Sequence, residues 1–263
     1  MMQPRLRVSL LAPFPDLAAQ ALDYGVTGRA LGNGLWRWRG FGLHDHADDP
    51  RRSIDARPAA GGPGMVLAAA PLDRALAAAR HWHGAAPHVV LLSPDGAPLT
   101  QARVREFSDR RDLAFVAGRY EGVDQRWVDA NVDAIVSLGD YVLSGGELAA
   151  AVVVDACVRL LPGALGDADS ALSESFADAQ TARLDWPQYA LADASAPLPP
   201  ELTQGDHAAV HRWRLKEALR RTWCRRPDLL ARAALSSVER SLVDEIALEF
   251  KASHGQPRSD AAG

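Results

Sequence analysis

Over the first 160 residues short apolar runs alternate with amphipathic or alanine-rich runs, and this alternation narrows the choice of fold more than any other feature of the chain. His88 to Ser93, Leu113 to Ala117 and Ala134 to Leu138 are apolar at most positions, as strands covered on both faces are, and Arg5 to Leu11 reads as an apolar strand before them. Leu35 to Phe41 instead alternates large apolar and basic residues, the pattern of a half-exposed strand. Helices fit between them. Asp16 is expected to cap a helix through Leu22, Pro71 suits the first turn of a helix to Trp82, and Thr100 is expected to cap one through Phe107. Asp124 to Asn131 and Glu147 to Leu161 also read as helical, the latter stopping before Pro162-Gly163. Pro94-Asp-Gly96 reads as the stop of the His88 strand. The expected fold class is therefore α/β, a mostly parallel sheet with helices on both faces.

Beyond Pro162 the pattern changes. Residues 163–189 are rich in Gly, Asp, Ser and Ala with little apolar periodicity and read as a linker, at least partly mobile. Residues 190–252 turn helical from His207, with Asp206 and Ser237 as expected caps, and 253–263 read as a disordered polar tail. An apolar content of 48% with 24% charged residues is that of a soluble globular protein, and no apolar run is long enough to span a bilayer. The N-terminus reads as a first strand, not a signal peptide. Cys157 and Cys224 lie far apart and outside any C-x-x-C pair, so neither a disulfide framework nor a zinc site is expected, and a reducing cytoplasm fits.

Four glycine-containing loops stand out: Gly61 to Met65, Ser93 to Gly96, Gly118 to Gly122 and Ser137 to Glu147. Three follow buried strands, and loops at one end of parallel strands can converge on one ligand. None is a G-x-G-x-x-G or a G-x-x-x-x-G-K-[ST], so a phosphate cradle is not indicated. Each alone is also an ordinary turn. Arg159, near the end of an apolar helix, either snorkels or holds an anion. Glu174 in the linker is either solvated or a carboxylate with work to do. The net charge of −4 argues weakly against nucleic acid, yet Arg212 to Arg226 holds seven basic residues and one acid, interleaved with Trp213 and Trp223. Such a stripe is either a solvated face or a surface for RNA phosphates, with Arg212, Arg214, Lys216, Arg220 and Arg221 as candidates. His207 and His211 stand four apart, but no third metal ligand lies nearby.

Asp23-Tyr-Gly-Val-Thr-Gly-Arg-Ala30, Gly61-Gly-Pro-Gly-Met65, Leu92-Ser-Pro94, Gly118-Arg-Tyr-Glu-Gly122, Leu138-Gly-Asp-Tyr-Val-Leu-Ser-Gly-Gly-Glu-Leu148 and Arg212-Trp-Arg-Leu-Lys216 occur in this order. Together they resemble the bacterial tRNA (guanine-N1-)-methyltransferases of the SPOUT, or trefoil-knot, class, from about Leu10 to Leu230. The resemblance implies a knotted cofactor-binding domain over 1–162, an exception to the usual avoidance of knots. It implies S-adenosylmethionine as cofactor, held by Leu92, Ser93, Pro94, Gly118, Tyr120, Glu121, Leu138, Gly139, Asp140, Tyr141, Val142, Leu143, Gly145 and Gly146. It also implies a homodimer with the site between subunits and tRNA as substrate, methylated at the guanosine of position 37. Mg2+ is implied as an assisting ion without a dedicated protein site.

By the same resemblance Glu174 falls where the family carries an aspartate that acts as general base, and Arg159 on an arginine placed at the reacting base. The residue types suit the chemistry. Guanine N1 carries a proton and is a poor nucleophile, so a carboxylate must accept that proton as N1 attacks. Negative charge then builds toward O6, where a guanidinium stabilises it. The chain departs from the family pattern at Leu91 (a tyrosine), Ala149 (a proline) and in Asp185-Trp-Pro-Gln-Tyr189. An RNA-binding relative with weak catalysis, and a knotted methyltransferase acting on another RNA, stand as alternatives to N1 methylation of tRNA.

Overall fold

A computed structural model describes residues 3–166, 174–177, 183–190 and 197–254. Residues 167–173 and 178–182 of the predicted linker, and the tail from residue 255, lie outside the described residues. The chain divides into two compact units, 1–168 and 169–263.

In the first unit β1 (Leu6–Ala12), β2 (Trp36–Gly42), β5 (His88–Pro98), β6 (Asp112–Ala117) and β7 (Ala134–Ser137) form one sheet, in the order β2-β1-β6-β5-β7. Every neighbouring pair in it is parallel. β3 (Asp55–Ala56) and β4 (Val66–Leu67) make a short antiparallel ladder apart from it. The helices are α1 (Asp16–Leu22), α2 (Gly25–Gly32), α3 (Ala69–His83), α4 (Gln101–Ser108), α5 (Gln125–Asn131) and α6 (Glu147–Val158).

The period of two in the strands sorts their side chains into two cores. Val90, Leu92, Leu113 and Phe115 join the cluster containing residues of α1, α2, α4 and α6. Val89, Leu91, Ala114 and Val116 join the cluster containing residues of α3 and α5. Burial on both faces is what made these runs continuously apolar. β2, at the edge, buries Trp36 and Phe41 and exposes Arg37 and Arg39, as its mixed sequence predicts. α6 buries eight residues around its circumference, so it shows no polar face to read.

Local expectations are corrected at three points in this unit. Asp16 does not cap α1; Pro15 occupies that position with no side-chain bond, and Asp16 lies in the first turn. β5 does not end at Pro94-Asp-Gly96. Leu92 and Ala97 both stand opposite Val136, so Ser93 to Gly96 bulge out and pairing resumes. A Cβ on Gly96 would lie 2.4 Å from the Val136 nitrogen, so only glycine permits this return. α6 ends at Val158, short of Leu161.

The second unit carries α7 (His207–Arg225), α8 (Pro227–Arg232) and α9 (Ser237–His254). Leu219, Leu242 and Ile246 form its fully buried centre. Asp206 caps α7 as expected, accepting from the Ala208 and Ala209 amides. The cap of α9 is Ser236, not Ser237: its hydroxyl accepts from the Glu239 amide, and the Glu239 carboxylate accepts from the Ser236 amide, a reciprocal capping box. α9 also runs two residues past the predicted start of the tail.

Candidate functional site

β6, β5 and β7 are adjacent and parallel, so their C-terminal ends share one edge of the sheet, where open α/β folds bind ligands. Leu92 to Pro94, Gly118 to Gly122 and Val136 to Gly146 line a cavity of about 250 Å³ there, apart from Asp140. The loops are fastened to one another. The Gly146 amide donates to the Gly118 carbonyl at 2.9 Å, and a Cβ on Gly146 would lie 2.8 Å from the Ala117 Cα. The start of α6 therefore rests directly on the end of β6, a close approach that a side chain would prevent.

Tyr120 adopts φ +60°, a left-handed conformation that costs a tyrosine about 1 kcal/mol. Neighbouring bonds hold it: the Glu121 amide donates to the Met65 carbonyl and the Gly122 amide to the Arg119 carbonyl. The Gly61 to Met65 loop thus braces the cavity without lining it.

Glu147, the first residue of α6, is 1% exposed. A buried carboxylate needs compensation. Arg119 Nε donates to both its oxygens at 3.0 and 3.2 Å, the Phe14 amide donates to Oε1 at 3.3 Å, and the helix N-terminus adds positive potential. The Arg119 guanidinium also stacks 4.9 Å from the Phe14 ring centroid. Arg119 is the one basic side chain lining the cavity among the described residues, and its charge is cancelled by Glu147. The cavity therefore has apolar walls (Leu92, Leu138, Leu143), two tyrosines, many backbone polar groups and no phosphate cradle. Beside Gly118 a Cβ would meet nothing closer than 3.9 Å, so packing does not fill that space.

Of the predicted cofactor residues, Leu92, Ser93, Pro94, Gly118, Tyr120, Glu121, Leu138, Gly139, Tyr141, Val142, Leu143, Gly145 and Gly146 line this cavity. Asp140 does not line it and is exposed. Sequence reasoning passed over Arg119 as a fastening residue. Its partner Glu147 lies 28 residues away, and the only local signal was an acid opening a helix.

The other predicted residues lie elsewhere. Arg159 is the C-cap of α6, while Gly146 and Ala149 at the opposite end of that helix line the cavity. Twelve helical residues separate the two ends by about 18 Å. Glu174 belongs to the second unit and lines a cavity of about 490 Å³ there, with Arg183, Asp185, Trp186, His211 and Arg214 among its neighbours. On α7, Arg212 pairs with Glu245, Lys216 with Glu245 and Glu249, and Arg220 with Glu217 and Glu249. Hydrogen bonds donated by Lys216 to Glu249 and Glu245 hold its pKa above the ordinary value, and both carboxylates are held below theirs. Arg214 and Arg221 have no carboxylate partner among the described residues. No group of three or more His, Cys, Asp or Glu is poised for a metal among the described residues. No described helix is long and apolar enough to cross a membrane.

The family model described as tRNA (Guanine-1)-methyltransferase TrmD matches residues 6–232. The chain belongs to this family. A tRNA (guanine-N(1)-)-methyltransferase of Halorhodospira halophila is 46% identical over 248 residues, covering 94% of this chain and 93% of its own. One from Alcanivorax borkumensis is 47% identical over 252 residues, covering 94% and 95%. One from Pseudomonas entomophila is 46% identical over 242 residues, covering 91% and 96%. The match to the tRNA (guanine-1)-methyltransferase family spans the three-loop cavity and all of α7, so it draws on both units.

Proposed function

We propose that this chain methylates N1 of a guanine in tRNA, at position 37 beside the anticodon and 3′ of another G, with S-adenosylmethionine as donor. The cavity at the joined ends of β5, β6 and β7, inside the span matched by the family, carries this conclusion. Its donor set suits S-adenosylmethionine, which has an adenine, a ribose, a zwitterionic tail and a sulfonium but no phosphate. Leu92, Leu138, Tyr141 and Leu143 supply apolar walls, the backbone of residues 138–143 supplies polar contacts, and the neutralised Arg119 presents no net charge against a sulfonium. Bound there, the cofactor supplies a methyl group on a sulfonium whose sulfur keeps the electron pair of the breaking bond and leaves as a neutral thioether.

The chain's own residues then have separable tasks. Glu174 accepts the N1 proton as the N1–carbon bond forms. Arg159 stabilises the negative charge that develops toward O6. The cavity loops fix the line of attack, which dominates a methyl transfer. Arg159 lies a helix length from its own chain's cavity, which supports a site shared by two copies of the chain. Exposed Leu148 and Val152 on α6, with Tyr141 and Val142 beside the cavity, supply apolar surface for such a homodimer. Close backbone passes at Gly96 and Gly146 suit a chain threaded as a deep trefoil knot. Mg2+ would assist from substrate and solvent ligands, and the cytoplasm is the compartment of such a reaction.

The test is transfer of labelled methyl to a tRNA transcript with G at positions 36 and 37. Incorporation is expected, and its loss when position 37 is A. Glu174→Gln should lower kcat by about 10²–10⁴-fold with donor binding unchanged by calorimetry. Methylation of a different RNA, with this tRNA left unmodified, would overturn the substrate.

A further inference from the structure

The second unit holds another cavity, of about 350 Å³, that the methyl transfer does not use. Trp186, Tyr189 and Trp213 line it together with His207, Val210 and Arg214, and no carboxylate lines it among the described residues. Trp186 and Arg214 stand between it and the neighbouring cavity, which they also line and where Glu174, Asp185 and Glu239 contribute, but among the described residues no ion pair joins Arg214 to those acids. Tyr189 and Trp213 stand at 6.2 Å and 51°, and the Arg214 guanidinium lies 4.9 Å from the Trp186 ring centroid. Aromatic faces beside an unneutralised cation are the means by which proteins hold unpaired nucleotides: a base stacks on a ring and its phosphate meets the cation.

The contrast along α7 sharpens this. Arg212, Lys216 and Arg220 are spent on carboxylates of α7 and α9. They hold one helix to the other and offer little charge to RNA. Arg214 is exposed and makes no such pair among the described residues; its geometry is set by the tryptophan face. We propose that this aromatic cavity is a binding site for an unpaired nucleotide of the RNA, with Trp186 or Tyr189 stacking on the base and Arg214 contacting the phosphate. Arg212, Lys216 and Arg220 are struts of the helix pair.

This inference rests on the chain being a tRNA enzyme, and one experiment separates the two. The full-length protein is titrated with a fluorescently labelled tRNA transcript over a series of salt concentrations. Trp186→Leu should weaken binding by about 10-fold, and Trp186→Phe, which keeps an aromatic face, should restore it to within about 2-fold. Arg214→Ala should reduce the salt slope by about one phosphate contact. Arg212→Gln should leave that slope unchanged and lower the melting temperature instead. A wild-type chain that binds no tRNA overturns the enzyme assignment and this site with it. A wild type that binds, with Trp186→Leu and Arg214→Ala binding equally well at every salt, overturns the site alone. So does an Arg212→Gln variant that loses as much slope as Arg214→Ala.

Discussion

At the scale of single residues, His83 shows how a polar group survives in the core. Its side chain is fully buried, with Nδ1 2.7 Å from Asp112 Oδ1 and Nε2 3.1 Å from Ser9 Oγ. Arg7 holds the same Asp112 with two bonds of 2.6 and 2.8 Å. With Nδ1–H donated to Asp112, Nε2 accepts from the Ser9 hydroxyl at 3.1 Å, in place of the longer 3.4 Å bond that hydroxyl can donate to the Leu113 carbonyl, when the ring is neutral. Burial pushes its pKa below 6.5 despite the neighbouring carboxylate. In the unfolded chain the ring takes up a proton as pH falls through the ordinary histidine value, while the folded chain resists. The stabilisation is thus complete above that value and is lost as pH falls toward the depressed folded one. The melting temperature should fall between about pH 7 and about pH 5.5, and His83→Asn should be less stable at neutral pH with a shallower dependence. His46 and His88 are lowered by burial too, so the slope should shrink without vanishing. An equal slope in the variant would show that His83 does not contribute. Nothing in the sequence around His83 announced this network, because its partners lie 29 and 74 residues away.

At the scale of elements, the glycine loops were legible one at a time and their joining was not. Gly118 and Gly146 are both glycines of the cavity, yet the space around them differs. A Cβ at Gly146 meets the Ala117 backbone at 2.8 Å, whereas one at Gly118 meets nothing within 3.9 Å. Gly146→Ala should therefore cost about 1–3 kcal/mol of stability through forced backbone movement and weaken donor binding as well. Gly118→Ala should keep the wild-type melting temperature and weaken donor binding alone. Calorimetry with S-adenosylmethionine and thermal melts of both variants check this; equal melting temperatures for the two would contradict the packing argument. The strand reading failed at Pro94-Asp-Gly96 for a related reason. Those residues do break the local ladder, but Ala97 pairs again with β7, a contact some forty residues distant that no local pattern encodes. Thr100 and Asp206 were legible as caps because they act within three residues of themselves, whereas Asp16 and Ser237 each miss the cap position by one residue.

At the scale of the whole molecule, the residues proposed for catalysis come from both units of the chain. The cavity proposed for the cofactor lies at one end of α6, Arg159 at the other, and Glu174 belongs to the second unit. A two-fold dimer would supply each site with residues of both copies. Gly146→Ala and Arg159→Ala proteins, unfolded and refolded together in equal amounts and assayed at a donor concentration where neither is active alone, should then recover about a quarter of wild-type activity. Half the dimers would be mixed, and each would own one intact site. Recovery of no activity, with mixed dimers demonstrated, would place Arg159 and the cavity on the same chain. Charged substitutions at Leu148 and Val152 offer an independent check, since they should yield monomers by sedimentation.

The alternation of strand and helix, the apolar runs of a doubly covered parallel sheet, and the composition of the glycine loops were set by the sequence alone. These depend on interactions within a few residues, or on one face of an element being apolar. Tertiary structure decided which loops share a wall, and that Arg119 and Glu147 clasp two of them. It also decided that Arg212, Lys216 and Arg220 of the predicted basic stripe pair with carboxylates of α9 while Arg214 rests on a tryptophan. Each of those outcomes depends on contacts between residues far apart in the chain, and only the packing of whole elements brings such residues within a few ångströms.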